Sequence, residues 1–156
     1  MSQSYESAPQ APSGPPPGGP SGPRAGFWAR LGAVILDGLI IGIPGTILIV
    51  VAAAISDALL ILAYLVYIVV GIGYYIYFEG GPTGQTIGKK TLNIRVIDIH
   101  QGGPIGYGRA TVRYLVRIVS AIPLYLGYLW MLWDSEKQTW HDKAANCVVV
   151  PADAYR

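Results

Sequence analysis

The stretch from Gly38 to Phe78 contains a single acidic or basic side chain, Asp57, among its 41 residues. A helix needs roughly 20 consecutive apolar residues to cross the hydrocarbon core of a bilayer. Together with the apolar residues just before it, this stretch is long enough for two such helices. The pattern predicts spans over about 27–55 and 58–78, joined by a tight turn at Ser56 and Asp57. The chain is therefore predicted to be a mainly α-helical, polytopic membrane protein.

The composition agrees with a membrane location and excludes several classes of function. Apolar residues make up 52% of the 156 residues and charged residues 13%, about half of the ~25% usual in soluble domains. The net charge of +2 is too small for a nucleic-acid footprint. One cysteine and two histidines exclude an intramolecular disulfide and leave little for a metal site. We expect no cofactor, no metal and no nucleic-acid or nucleotide partner.

Residues 1–26 form a distinct N-terminal tail with seven of the twelve prolines and five glycines. Such a segment buries too little apolar surface to offset the entropy of ordering it, so a disordered tail is predicted. A ligand for a proline-binding domain is the alternative role for this tail. Its first basic residue, Arg24, comes too late for a secretory signal peptide, and the helix that follows is expected to be retained.

The second half of the chain mixes strand and helix patterns. Apolar and polar residues alternate over 91–98, which predicts a strand with one buried face, and Cys147–Val150 resembles a second short strand. These strands would form a small cytoplasmic β element, followed by a short tail over 152–156. Between them, 110–133 is a third apolar segment that Pro123 breaks. Since only the 16 residues from 118 to 133 lack charge, a re-entrant or interfacial hairpin is favoured, with a third span as the alternative.

Basic residues predict how the spans are oriented. Arg24 and Arg30 precede the first span, and the turn at 56–57 has no Lys or Arg. The loop over 79–109 carries four basic residues: Lys89, Lys90, Arg95 and Arg109. By the positive-inside rule, the N-terminus and this loop are predicted to face the cytoplasm. We expect the protein to lie in the cell (inner) membrane.

The run EGGPTGQTIGKKT over 79–91 partly matches a phosphate-binding loop. When Gly88 and Lys89 are aligned with that motif, Thr83 replaces its first Gly and Lys90 replaces its Ser or Thr. The run also follows a membrane span instead of a strand. We interpret it as the end of the second span and a surface turn, with Lys89 and Lys90 on the cytoplasmic side.

These pieces, in this order, resemble the RDD family of small bacterial membrane proteins, named for an arginine and two aspartates. The resemblance covers roughly 24–151 and rests on Arg30 and Asp37 in the first helix, the run 84–90, the strand 92–98, Leu129 and Trp130 with Asp134, Trp140 to Lys143, and Val148 to Val150. The second aspartate corresponds to Asp134 or Asp142, with Asp142 preferred. The resemblance implies a membrane domain over 27–151 and transport of unidentified ligands.

Asp37 is the main candidate for chemistry, because an ionisable group inside a span is costly. It follows Arg30 by seven residues, which places both on nearly the same face of the helix. Asp37 either binds a cation or proton on a transport path, or pairs with Arg113 or Arg117 and locks the helices together; the structural role is favoured. The candidate intramembrane polar site comprises Arg30, Asp37, Asp134 and Asp142.

Three other sets of residues are candidates for contacts. The basic stripe, defined as Arg109, Arg113 and Arg117, recurs every four residues on a predicted membrane-surface helix and suits lipid headgroups or ion pairs. Gly38 and Gly42 have the small-xxx-small spacing that permits close helix packing. The run WHDK over 140–143 lacks a nucleophile, so no catalysis is expected there, and Cys147 is expected to be a small buried side chain.

These features predict a transport-related or accessory membrane component that is not an enzyme. Two or three spans do not enclose a pathway, so we expect a homo-oligomer or other membrane proteins as partners, besides the lipid bilayer itself. Cation or proton exchange through Asp37 is one form of this hypothesis. The alternative is a membrane-anchored interaction module that recruits partners through its proline-rich tail and cytoplasmic loop.

Overall fold

A computed structural model describes residues 23–123 and 125–154. Helices α1 (Phe27–Ile55) and α2 (Asp57–Gly80) pack against each other as a hairpin. With 29 and 24 residues they are about 43 and 36 Å long, enough to cross a hydrocarbon core of about 30 Å. Both predicted segments are thus confirmed as helices of span length, and the second begins one residue earlier and ends two residues later than the predicted 58–78. The predicted disordered tail lies, apart from its last four residues, outside the described residues.

The turn of the hairpin is a single extended residue, Ser56. Its backbone N–H donates to the Ala52 carbonyl at 3.1 Å, and its side-chain oxygen accepts from the Leu59 N–H at 3.3 Å. This arrangement closes α1 and caps α2 at the same residue. The two helices approach closely where Gly45 meets the ring of Tyr67, because a Cβ on Gly45 would lie 2.3 Å from that ring.

Most of the surface of α1 and α2 is not covered by other described residues. Only 11% of the most apolar stretch of α1 and 6% of that of α2 is buried. Exposed side chains include Ile43, Ile47, Val50, Leu65 and Val69. A bare apolar surface of this kind fits contact with lipid tails.

The remaining elements gather at one end of the hairpin, called here the sheet end, where α1 begins and α2 ends. They are α3 (Ile87–Thr91), β1 (Ile94–Asp98), α4 (Gly106–Ala121), α5 (Leu126–Leu129) with a 3-10 turn to Leu132, α6 (Trp140–Ala144) and β2 (Cys147–Pro151). Strands β1 and β2 pair antiparallel, with Ile97 opposite Val148. This confirms the predicted β element.

The first strand is shorter than predicted and is buried on both faces. The alternating pattern predicts 91–93 as part of the strand, but Thr91 ends α3 and Asn93 has a φ of +53°. That left-handed conformation, which Asn tolerates better than most residues, turns the chain from α3 into β1. Along β1, Val96 and Ile97 point to opposite faces and both are buried. The prediction of one buried face was wrong, because Ile97 packs with Val148, Val150 and Ile99 in a second buried cluster on the other side.

The third apolar segment is a bent pair of helices. The axes of α4 and of the piece over 126–132 meet at 114°. The strands on either side of this pair, β1 and β2, are hydrogen-bonded to each other. The bent pair therefore leaves the sheet end and returns to it, which favours the hairpin over a third span.

Both ends of the described chain meet at the sheet end. The Ala25 N–H donates to the Val149 carbonyl at 2.9 Å, and Arg24 forms an ion pair with Glu136 at 2.5 Å. The small core beneath them includes Ala25, Ala33, Ile94, Val96, Ile105, Ala110, Ala145, Cys147 and Val149. The start of α1 is thus fastened to the last strand.

Reporter fusions test this topology. Alkaline phosphatase, which is active only outside the cytoplasm, is expected to be inactive when fused after residue 156 and active when inserted at Ser56. The reason is that β1 and β2 can pair only on one side of the membrane. Activity of the C-terminal fusion, with normal insertion of the hairpin, would contradict the returning bent pair.

Candidate functional site

Asp37 is fully buried and three donors hold its carboxylate. The Tyr74 hydroxyl donates at 2.6 Å, the Thr86 hydroxyl at 2.6 Å and the Gly88 N–H at 2.7 Å. No Lys or Arg among the described residues lies within ion-pair distance of Asp37. The predicted pairing of Asp37 with Arg113 or Arg117 is therefore wrong. The acid binds the loop after α2 instead, and both arginines have other partners.

The glycine-rich run brings this loop against α1. Gly84 has a φ of +61°, and a Cβ there would lie 2.1 Å from the Val96 carbonyl oxygen. Gly88 passes so close to α1 that a Cβ would lie 2.3 Å from the Ala33 oxygen. Thr86 caps α3 by accepting from the Lys89 N–H at 3.3 Å. The run is thus a packing device, and the surface turn predicted for it is wrong at Thr86 and Gly88, which are buried.

A second group of polar residues, the charge cluster, lies at the sheet end. Its centre is Glu79, near the C-terminus of α2, which forms ion pairs with Lys89, Arg113 and Arg117. Glu79 is 1% exposed and Arg113 is 2% exposed. Lys89 is also buried, so it does not lie in a surface turn as predicted, whereas its place on the cytoplasmic side stays a prediction. Unpaired, any of these charges would be very costly in this position.

Asp142 is the second carboxylate of the charge cluster. Arg113 donates to it through Nε and Nη2 at 2.9 and 2.7 Å, and Arg30 donates at 2.6 Å. Asp142 also closes a capping box with Thr139 at the start of α6. Burial alone would raise the pKa of Asp142, but the charges of Arg113 and Arg30 outweigh it and hold the pKa well below the usual range. The cluster thus joins α1, α2, α3, α4 and α6.

The basic stripe faces the protein instead of the membrane surface. Arg113 and Arg117 belong to the charge cluster, and Arg109 pairs with Asp98. The opposite face of α4 is apolar and exposed, for example at Leu115 and Ile118. Of the two predicted roles for the stripe, the structure shows ion pairs. The predicted surface helix is inverted, because its charges turn inward and its apolar face turns outward.

Several other predicted residues lie apart from the charge cluster. Asp134 pairs with Lys143 at 2.6 Å and accepts from the backbone of Glu136 and Gln138. Of the two candidate aspartates, only Asp142 thus joins Arg30. A Cβ added at Gly38 or Gly42 would meet no atom of another described element within 4 Å, so this face of α1 has room for close packing.

Cys147 is fully buried, as expected, and its Sγ lies 3.8 Å from the Asp142 carboxylate. Burial raises the pKa of this thiol to about 12. It therefore stays protonated near neutral pH and is a poor nucleophile.

A cavity of about 330 Å³ adjoins the charge cluster. Its polar wall includes Arg30, Lys89, Arg113, Arg117 and His141. The remaining wall is apolar and comes mainly from the start of α1 and from the bent pair. All four cations of the cluster line this space, so its polar wall is basic.

His141 is buried beside the cavity and is neutral at pH 7. Burial lowers the pKa of His141 well below its usual 6.5, although the nearby charge of Asp142 opposes the shift. The ring stands edge-on to Tyr128 at 5.0 Å between centroids. Its Nδ1 has no hydrogen-bond partner among residues 23–123 and 125–154.

Sequence reasoning missed Glu79, the residue on which the charge cluster depends, and marked it only as part of the end of the second span. The signal was the basic stripe itself, because three arginines on one helix face need carboxylates if that face is buried. Gly45 was also missed, since it stands one residue after Pro44 and outside the GxxxG pattern.

Comparison with known proteins agrees with this architecture. The sequence profile of the RDD family matches residues 24–146. The "Uncharacterized protein YxaI" of Bacillus subtilis is 30% identical over 147 residues, which cover 81% of this chain and 96% of that protein. No solved structure matches the chain significantly.

Two mycobacterial relatives match over a shorter region. The "Proline-rich antigen homolog" of Mycobacterium tuberculosis is 39% identical over 84 residues, which cover 52% of this chain and 35% of the relative. The "Proline-rich antigen" of Mycobacterium leprae is 40% identical over 74 residues, covering 47% of this chain and 30% of the relative. The matched region thus spans about a third of the length of these relatives.

Replacement of Glu79 tests the central role of this residue. Glu79→Gln is expected to lower the free energy of unfolding by about 3–5 kcal/mol, because it leaves buried cations without their carboxylate. The control is Asp134→Asn, whose partner Lys143 is exposed and whose loss should cost about 1 kcal/mol or less. Chemical unfolding in mixed micelles measures both. Equal costs would contradict a central role for Glu79.

The lowered pKa of His141 predicts a dependence of stability on pH. Below about pH 6.5 the unfolded chain binds a proton on His141 that the folded chain does not. Stability should therefore fall between about pH 7.5 and 5.5, with a slope that approaches about 1.4 kcal/mol per pH unit. His141→Gln should remove this slope, and His100→Gln, at an exposed residue, should keep it. Thermal unfolding in detergent measures the slope, and an unchanged slope in His141→Gln would contradict the assignment.

Proposed function

The chain belongs to the RDD family, and on that premise we propose that it is a transport-related or accessory component of the cell membrane that acts as an oligomer. In this proposal the N-terminus and the sheet end face the cytoplasm, as the distribution of basic residues indicates. The proposal includes no catalytic activity, since the thiol of Cys147 is protonated and the carboxylate of Asp142 is held by arginines.

One observation carries this proposal: the charge cluster is buried with an excess of positive charge beside a cavity at the end of two membrane-spanning helices. Within the described part of the chain, its four cations are opposed by two carboxylates, Glu79 and Asp142. Buried charges at a membrane are expensive and usually mark a path or a site for a charged solute. A purely structural anchor would not need the excess.

An oligomer, or a partner protein, is required for any path through the membrane. Two helices do not surround a channel, and most of the surface of α1 and α2 is bare. Gly38, Gly42 and Thr46 line a shallow groove on α1 that no other described element fills. Small residues of this spacing allow a second helix to approach closely, so this groove remains the candidate contact.

Cation or proton exchange through Asp37 is the more specific form of the proposal. The three donors to Asp37 occupy its carboxylate, and the side chain has no access to solvent. A cation reaches this acid only after the loop over 84–88 moves away from α1. Exchange at Asp37 would therefore be coupled to movement of that loop.

An interaction module is the second candidate function. The relatives from Mycobacterium are named proline-rich antigens, and this chain has a proline-rich segment before α1. Arg24 and Ala25 are bonded to Glu136 and Val149, so the C-terminal end of this segment lies beside the sheet. A partner at the sheet end could then contact both the tail and the loop over 79–109.

A flux assay tests exchange at Asp37. In liposomes with an imposed pH gradient, the natural protein is expected to dissipate the gradient when Na⁺ or K⁺ is added, faster than empty liposomes do. Asp37→Asn should abolish this flux because it removes the titratable carboxylate. Thr86→Val, which keeps the acid and removes one donor, is the control and should retain the flux. If the natural protein does not exceed empty liposomes, exchange at Asp37 is excluded and the accessory role remains.

A further inference from the structure

The cations and carboxylates of the charge cluster do not lie symmetrically around the cavity. Arg30, Lys89, Arg113 and Arg117 all line it, whereas neither Glu79 nor Asp142 does. The carboxylates therefore lie farther from the cavity than the cations do. Including Asp37, which contacts the neighbouring residues Thr86 and Gly88, still leaves one cation in excess. Each cation has a carboxylate partner, but the wall that faces the cavity is positive, and an excess of desolvated positive charge is costly.

Two residues of this wall have buried polar atoms that find no hydrogen-bond partner among the described residues. They are Nε of Arg117 and Nδ1 of His141, and the His141 side chain is only 5% exposed. The Lys89 ammonium donates to Glu79 and has two further protons. Buried groups of this kind are nearly always satisfied in native proteins. All three side chains line the same cavity, so an anionic group bound there would lie beside each of them.

The rest of the cavity wall is apolar and continues to the outside. Leu31 and Val34 on α1, with Tyr125 and Leu129 of the bent pair, line the cavity and are at least 36% exposed. Leu31 and Val34 belong to the first turns of a predicted membrane span. The cavity thus has a cationic inner end and an apolar mouth beside the lipid-facing surface. A small water-soluble anion has no apolar part that could pack against this mouth.

We infer that this cavity binds an anionic amphiphile, a molecule with a phosphate or carboxylate head and an alkyl chain. The head accepts hydrogen bonds from Lys89, Arg117 and His141, and the chain leaves along Leu31 and Val34 into the bilayer. A volume of about 330 Å³ is at the lower end for ligand sites, which run from about 300 to 1,000 Å³. It accommodates a head group and the first part of one chain.

This inference deepens the proposed function and rests on it only for the position of the cavity at the membrane. It names the class of solute or effector that the positive cluster serves. The two ideas are also experimentally separate, because binding at equilibrium is measured without any flux. A protein that binds the amphiphile but moves no ions would overturn the exchange hypothesis alone.

Native mass spectrometry of the full chain in maltoside micelles tests the inference with three matched probes. Palmitoyl lysophosphatidic acid has the phosphate head and one chain, palmitoyl lysophosphatidylcholine has the same chain with a zwitterionic head, and glycerol 3-phosphate has the head without a chain. We expect saturable binding of one lysophosphatidic acid per chain, about tenfold or more tighter than either other probe, because a charged head and a buried chain both contribute.

Variants locate the site. Arg117→Gln is expected to weaken lysophosphatidic acid binding about tenfold or more, the usual effect of losing a charged hydrogen bond. Arg109→Gln is the matched control, since Arg109 belongs to the same basic stripe but pairs with Asp98 and does not line the cavity. Val34→Trp narrows the mouth without changing any charge and should also weaken binding. If Arg117→Gln does not fold, Val34→Trp still tests whether lysophosphatidic acid binds in this cavity.

Three results would overturn the inference. Equal binding of lysophosphatidic acid and lysophosphatidylcholine would mean that the cationic wall does not distinguish an anionic head from a zwitterionic one. Equal weakening by Arg117→Gln and Arg109→Gln would place the site elsewhere. Binding of glycerol 3-phosphate as tight as that of the lysolipid would mean that the cavity holds a soluble anion and that the apolar mouth is not used.

Discussion

The neutralisation of buried charge around Glu79 is the constraint that organises this molecule. A carboxylate near the end of a membrane-spanning helix must find cations without leaving the low-dielectric boundary of the bilayer. Two different elements supply them: α3 through Lys89, and α4 through Arg113 and Arg117. Arg113 then needs Asp142, and Asp142 needs Arg30. Each ion pair brings in a further element, so the helices assemble around a chain of alternating charges more than around a large apolar core.

Local sequence patterns predicted the parts of this structure that depend on local physics. The two spans follow from uninterrupted apolar residues, the turn at Ser56 from a break in them, and β1 and β2 from short alternating or β-branched runs. The inward direction of the basic stripe could not be predicted in the same way. A stripe of arginines on a helix has the same periodicity whether it meets water, lipid headgroups or buried carboxylates. Only the partners Glu79, Asp98 and Asp142, which are distant in sequence, distinguish these cases.

Sequence reasoning predicted which residues belong to the candidate site, but it did not predict which of them pair with each other. Sequence reasoning selected Arg30, Asp37 and Asp142 together as polar residues of interest, yet the structure divides them between two systems. Asp37 fastens the loop over 84–88 to α1 with neutral donors. Arg30 and Asp142 belong to the charge cluster. This division depends on Gly88, because a Cβ there would lie 2.8 Å from the Asp37 carboxylate and would push the loop away from it.

The bond between Arg30 and Asp142 spans 112 residues of sequence, and it has a consequence for biosynthesis. At a synthesis rate of about 5–20 residues per second, Asp142 is made roughly 6–22 s after Arg30. During this time α1 and α2 can already lie in the bilayer while Glu79 holds the nascent arginines of α4. The sheet end is then completed last, when β2 arrives beside Ala25. A ribosome that stops before residue 142 leaves Arg30 and Arg113 without the Asp142 carboxylate, so the charge cluster is incomplete.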